Sequence, residues 1–355
     1  MNQITSDQIQ KIFGWRKQYA EFFIVLLKAL LACFTISPTV LSAYTGYTNR
    51  NSACERIRRF LKNVRFCESA LAQFIAQITG LYAHEKWIVV LDRTYWMFGK
   101  VHLNFLYLSV TVGEFCIPIF FMILVDKKGH SSFEERKTIL EKFTHCFSKD
   151  RIHYIVGDRE FIGEDWLLYL QKAEIPFVQR IRAQNMMITN SRQESVKAFS
   201  LFWDLSIGEV RSLGMRFIGL KKNLHLQVDG LKTPTGDFVI VVSYKVHAPL
   251  DCYRMRWQIE VSFRTLKSCG FHIEDSHVRD PKRLTTLFQI VHFAFAVCVK
   301  IGRYCERKKS RKIKKHGYYA MTLVRYALLT FQPYILKLLR KKKSSKQNFF
   351  LKLVG

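Results

Sequence analysis

The sequence predicts an α/β protein: a mixed-sheet core interrupted by a β-rich insertion, with helical regions at both ends. Three observations carry this. Apolar residues recur at three- and four-residue steps from Gln8 to about Leu81. Beyond them, short apolar runs end in Asp92 and Asp158. Between about Arg182 and Lys245 the chain breaks into strand-like pieces punctuated by glycines and the turn Thr233-Pro234-Thr235-Gly236.

Residues 1–81 read as a helical N-terminal module, with turn signals at Ser37-Pro38 and around Gly46–Asn51. Arg56, Arg58, Arg59, Lys62 and Arg65 put positive charge on one of its helices, which suits either a solvated face or a DNA contact. The run Trp87–Leu91 then reads as a strand ending at Asp92, and Phe105–Val112 with Cys116–Val125 as a hairpin turning at Gly113-Glu114. Ser131–Phe147 has helical periodicity and an acidic first turn, and is followed by a strand, His153–Gly157, that ends at Asp158. A helix over Glu164–Ala173 and a strand over Pro176–Ile181 complete this part. A right-handed crossover would set the first strand parallel to the strand before Asp158, leaving both aspartates at carboxyl ends on one edge. The expected domains are the module at 1–81, a core at 82–182 and 246–300, an insertion at 183–245 and a basic helical region at 301–355.

The composition narrows the function classes. With 49% hydrophobic residues over 355 positions the chain is expected to fold, in roughly two or three domains. Lys and Arg number 56 against 28 Asp and Glu, a net charge of +28 that points to a polyanionic partner: nucleic acid first, an anionic membrane second. From Lys300 to Gly355 there are 17 basic residues and one acid, Glu306. Runs such as Arg307-Lys308-Lys309, Lys314-Lys315 and Arg340–Lys343 can hold phosphates without sequence preference, or simply solubilise the chain.

The apolar stretches are each interrupted: Phe22–Ile36 by Lys28, Leu284–Val299 by Gln289 and His292, and Tyr318–Leu339 by Arg325 and Lys337. They read as core helices, with no membrane partner expected. Asp7 precedes the first basic residues, unlike a secretory signal, and nine scattered cysteines without a Cys-x-x-Cys pair indicate neither a disulfide framework nor a zinc cage. The expected compartment is the reducing cytoplasm. No phosphate-binding glycine loop, zinc-protease motif or nucleophile elbow is present to support ATP use or acyl chemistry.

Pro249 opens a long helix expected to run to about Ser268 and stop at Gly270. At 100° per residue Tyr253, Arg256, Glu260 and Lys267 fall within a stripe about 60° wide, which Arg264 extends. Such a stripe is an ion-pair ladder on a solvated face, or a carboxylate held among phosphate-binding cations. Asp92 alone suits a turn and Asp158 alone a helix cap. Together with Glu260 they supply the oxygen ligands that two divalent ions beside a phosphodiester require.

The spacing Tyr253-x2-Arg256-x3-Glu260-x6-Lys267, preceded by Leu91-Asp92-Arg93-Thr94 and Gly157-Asp158-Arg159-Glu160-Phe161, resembles the three motifs of DDE transposases from bacterial insertion sequences. It is similar to the family-four branch carrying the Tyr-Arg-Glu-Lys signature, over roughly Trp87 to Arg283. The resemblance implies a ribonuclease-H-like core and two Mg²⁺ ions, for which Mn²⁺ can substitute, held by Asp92, Asp158 and Glu260. It further implies transposon-end phosphates held by Tyr253, Arg256, Arg264 and Lys267, and cut-and-paste excision through nicking, a DNA hairpin and strand transfer. The implied partners are double-stranded DNA and a second copy of the chain in a homodimeric synaptic complex.

Hairpin-forming relatives stack a flipped base on a tryptophan late in the insertion, whereas the only tryptophan between Arg182 and Lys245 is Trp203, well upstream. Trp203 or Phe238 can offer the needed ring face, although Trp203 suits a core position equally. The rival acids Glu160, Glu274 and Asp275 are expected to be supporting or structural.

Overall fold

The computed structural model describes residues 5–98, 101–113, 115–125, 130–219, 223–315 and 317–340. The Glu114 turn residue and the basic run beyond Arg340 therefore lie outside the described residues. The chain divides into two compact units: a helical one of residues 1–83, 95–103 and 261–355, and a sheet-centred one of residues 84–94 and 104–260.

In the helical unit, α1 (Ser6–Phe13), α2 (Lys17–Cys33), α3 (Pro38–Ser42), α4 (Arg50–Asn63) and α5 (Glu68–Ile78) come first in the chain. Sequence signals set their ends. Thr5 and Gln8 form a reciprocal capping box at the start of α1, and Gly14 closes it in the left-handed conformation. Arg56, Arg58, Arg59 and Lys62 of α4 are exposed, as is Arg65 just beyond its end.

The sheet lies mainly in the second unit: β1 (Trp87–Phe98), β2 (Val101–Val112) and β3 (Phe115–Val125) precede α6 (Phe133–Phe147), which Ser132 caps through Glu135. Then come β4 (Ile152–Gly157), α7 (Glu164–Lys172), β5 (Phe177–Arg180), β6 (Met187–Thr189), β7 (Ser195–Lys197), β8 (Val210–Ile218), β9 (Leu224–Lys232) and β10 (Phe238–Tyr244). The strands lie in one ten-stranded sheet in the order β3-β2-β1-β4-β5-β10-β9-β8-β6-β7. Pairing is parallel from β1 to β4 and from β4 to β5, the ribonuclease-H-like arrangement. β10 joins antiparallel to β5, so the strands of the β-rich insertion extend the core sheet. Trp87, Phe143 and Phe147 pack at one end of β1, with ring centroids 6.1 and 5.1 Å from the tryptophan.

Two features differ from the sequence expectation. Asp92 does not end its strand, because β1 continues for six residues to Phe98. It stands instead where the pairing with β4 stops, one residue past the Leu91–Gly157 pair. Nor is the stretch after Pro249 one helix. It comprises α8 (Pro249–Arg254), a tight turn at Met255 and Arg256, α9 (Trp257–Arg264) and a π-helical turn over Thr265–Cys269. Around the break the amides of Arg256 and Ile259 bond three residues back, to Tyr253 and Arg256, at 3.0 Å each. Side chains three apart eclipse on such a turn, and Tyr253 and Arg256 are brought onto one side.

Gly157 leaves room for the Gln179 side chain. A Cβ there would lie 2.5 Å from Oε1 of Gln179, its fully buried partner on β5. Gly157→Ala is expected to cost roughly 1–3 kcal/mol, as overpacked cores do. Denaturant unfolding measures it, and a wild-type midpoint would contradict the contact.

After the sheet the chain returns to the helical unit with α10 (Pro281–Lys308) and α11 (Leu323–Arg340). Asp280 caps α10, and Phe293 of this helix meets Phe23 at 4.9 Å and Phe74 at 4.6 Å. Among the described helices α10 is long and apolar enough to cross a membrane by length and composition, and 89% of that stretch is buried inside the protein.

Burial holds the His292 imidazole of α10 down to about 3. The unfolded chain then takes up a proton near pH 6.5 that the fold refuses, so stability falls as pH drops from about 6.5 toward 3, by up to ~1.4 kcal/mol per pH unit. Urea unfolding at pH 7.5 and pH 5 measures this, and His292→Leu is expected to flatten the slope.

Candidate active site

The parallel register builds the site. Leu91, Gly157 and Gln179 lie in one row across β1, β4 and β5, so the next residues, Asp92, Asp158 and Arg180, fall side by side. Arg180 Nη1 stands 3.9 Å from Asp158 Oδ1. From the turn between α8 and α9 come the other members. Tyr253 Oη donates to Asp158 Oδ1 at 3.0 Å, while Arg256 Nη1 reaches Asp92 Oδ2 at 3.3 Å and Nη2 reaches Glu260 Oε1 at 2.6 Å. All of these lie in the sheet-centred unit, so the structure brings Asp92, Asp158, Tyr253, Arg256 and Glu260 into one cluster.

The three carboxylates differ in solvent access, with side-chain exposures of 12% for Asp92, 27% for Asp158 and 34% for Glu260. Burial pushes the Asp92 carboxyl up to about 7, against the opposing pull of the Arg256 charge and the Arg93 amide. Burial also acts on Asp158, but the Arg159 amide, Arg256, the Tyr253 hydroxyl and Arg180 outweigh it and hold that carboxyl below its ordinary value. The Tyr253 hydroxyl is pushed up to about 12, chiefly by burial. Burial opposes the Arg256 charge, yet Tyr253, Asp92, Asp158 and Glu260 overcome it and raise the guanidinium further.

Among the described residues no three His, Cys, Asp or Glu side chains converge as they stand to hold a metal ion. Two of the carboxylates, Asp92 and Glu260, already converge on a cation, which is the Arg256 guanidinium. The donor set is oxygen-only and anionic, and its chemistry fits a hard divalent ion.

Arg264 is exposed, and Lys267 Nζ donates to the Tyr95 carbonyl at 2.9 Å; both belong to the helical unit. The rival acids are otherwise engaged. Glu160 takes a forked ion pair from Arg93, with Nε at 3.2 Å from both oxygens and Nη2 at 3.0 Å from Oε2. Asp275 accepts from Thr35 at 3.1 Å within the helical unit, and the Glu274 side chain lies outside the described residues. Sequence reasoning missed Arg93, Asn104 and Arg180. Arg93 ties β1 to the segment after β4 and also donates to Asn104 Oδ1 at 3.1 Å. The available signal was position: Arg93 follows Asp92 directly, and Arg180 ends the strand next to Asp158.

A family model described as "Transposase DDE domain" matches residues 110–297, more than half of the sequence. The chain belongs to the DDE transposase domain family. The matched stretch holds Asp158, Tyr253, Arg256, Glu260, Arg264 and Lys267 and begins after Asp92. Members of this family generally use divalent metals. Among solved structures, the cryo-EM structure of a piggyBac transposase synaptic complex with hairpin DNA is similar, at 11% identity and a TM-score of 0.45, over 94% of this chain and 74% of that one. No curated protein matches the chain.

Proposed function

We propose that this transposase-family chain cuts and joins DNA strands at the inverted ends of its own insertion sequence, by a divalent-metal-dependent, cut-and-paste route. The observation that carries the reading is the adjacency of Asp92 and Asp158 where β1 and β4 part, with Glu260 linked to Asp92 through one guanidinium. Asp92, Asp158 and Glu260 would hold the metal, as two Mg²⁺ or Mn²⁺ ions. When bound there, these ions supply Lewis acidity toward an attacking water or 3′-hydroxyl and toward the departing 3′ oxygen.

The chain's own groups do the rest. The Tyr253 hydroxyl fixes the rotamer of Asp158. Arg256 offers a planar fork to a phosphate of the transposon end, and Lys267 and the exposed Arg264 offer positive charge to transposon-end phosphates. Residues 1–81 are assigned to DNA binding, and 301–355 to phosphate affinity and synapsis of two copies. For a hairpin intermediate, Trp203 is the better stacking platform, because it is 63% exposed in a turn whereas Phe238 packs on Phe199 at 5.5 Å.

Labelled end duplex incubated with the protein, with and without Mg²⁺, and resolved on a denaturing gel tests the proposal. Nicked, hairpin and joined products in the Mg²⁺ lane support it. End binding with no Mg²⁺-dependent product would mean a silent repressor, and hydrolysis without joined strands a simple nuclease.

A further inference from the structure

Between α10 and α11, within the helical unit, the chain folds into a small β-hairpin. Ile313 pairs antiparallel with Tyr319. The Ala320 amide donates to the Lys312 carbonyl at 2.8 Å and the Lys314 amide to the Tyr318 carbonyl at 2.9 Å. Gly317, with a φ of 82°, turns the chain and donates to the Lys314 carbonyl at 2.9 Å.

The base of this hairpin is locked. The Arg311 side chain, 2% exposed, pairs with Glu306 of α10 at 2.7 Å, donates to the Met321 carbonyl at 3.3 Å and lies 3.8 Å over the Tyr319 ring. Desolvating a guanidinium is costly unless it is paired, and here a carboxylate, a carbonyl and a ring face satisfy it together. What projects from the locked base is cationic and aromatic. Lys312, Lys314 and Lys315 are exposed, and Tyr318 is 74% exposed. Glu306 is the only acid from Lys300 to the end of the sequence, and Arg311 already engages it. The same Glu306 lines, with Arg303 and Arg307, a cleft of about 470 Å³.

A two-stranded ribbon has the width of a duplex groove, ammonium groups on it reach backbone phosphates, and a tyrosine hydroxyl donates to phosphate oxygen. From this we infer that Lys312, Lys314, Lys315 and Tyr318 form a wing that grips the backbone of duplex DNA without regard to sequence, a contact separate from the carboxylate cluster. The inference rests on reading the chain as a DNA-acting transposase. Lysines beside an exposed ring also suit an anionic membrane surface, but a transposase-family domain in the same chain favours nucleic acid.

The test uses the full chain with Lys312→Ser, Lys314→Ser and Lys315→Ser combined, leaving Arg311 and its pairing intact. The probe is a random-sequence duplex titrated at several salt concentrations. Loss of three phosphate contacts is expected to reduce the slope of log affinity against log salt by about 2.7. An unchanged slope, in a variant that melts like the parent, overturns the wing. A second measurement needs no variant: bound duplex should protect Lys312, Lys314 and Lys315 of the unaltered chain from acetylation, and unprotected lysines overturn it too. If the triple variant loses only its binding to phosphatidylserine vesicles, the hairpin is a membrane contact and the inference fails. Asp92→Asn run in parallel separates the two readings. If that variant still cleaves, the assignment of the carboxylates falls, whatever the salt slope shows.

Discussion

Asp92→Asn is expected to lower Mg²⁺-dependent strand cleavage by about a thousandfold or more while leaving duplex affinity and the fold in place. A ligand that neutralises metal charge contributes several kcal/mol to phosphodiester chemistry, and each ~1.4 kcal/mol is tenfold in rate. The amide has nearly the shape of the carboxylate. It also removes the charge whose burial pushes the Asp92 carboxyl up to about 7 and leaves Arg256 paired with Glu260, so a folding defect is not expected to mimic the loss. Single-turnover cleavage of labelled end DNA, beside an affinity titration, reads both quantities. Asp150→Asn, at an exposed position away from the cluster, is the control expected to cleave at the parental rate.

Arg256→Gln is expected to produce a two-sided effect. Without divalent metal the variant should be less stable, because removing one partner of a buried pair costs roughly 3–5 kcal/mol, and Arg256 is 13% exposed between Asp92 and Glu260. With Mg²⁺ it should gain more stability than the parent, since the ion no longer competes with a guanidinium for the same oxygens. At a metal concentration of about 100 times its Kd that gain is ~2.7 kcal/mol. Thermal melts in EDTA and in Mg²⁺ make the comparison. Equal responses from parent and variant would show that the guanidinium does not stand in the cation's place. Affinity for end DNA should fall in the same variant, because the fork offered to phosphate is gone.

Part of the fold and of the site is legible in the sequence. Apolar runs ending in aspartates marked the two parallel strands, since a buried strand reads as a continuous hydrophobic run. Helical periodicity and an acidic first turn placed α6 within two residues, whereas α10 was legible only as the apolar stretch Leu284–Val299 inside a longer helix. The end of β1 was misread because Asp92-Arg93 looks like a polar stop, yet Tyr95, Trp96 and Phe98 are strand formers and the strand runs on.

The break after α8 was not legible. A periodicity template assumes 100° per residue throughout, whereas Arg256 lies in a tightened turn that points it between Glu260, four residues on, and Asp92, distant in sequence. That is tertiary pairing overriding local propensity. Glu160 and Arg93 were underrated for a related reason. Their fork joins residues 67 apart, and nothing in either local pattern marks the partner.

The most direct test of the central claim is where a divalent ion binds. Crystals of the chain with end duplex and Mn²⁺ should give anomalous density bounded by oxygens of Asp92, Asp158 and Glu260, with the Arg256 guanidinium turned away toward a DNA phosphate. Cleavage-competent crystals with Mn²⁺ density elsewhere, and with Arg256 still joining Asp92 to Glu260, would contradict it.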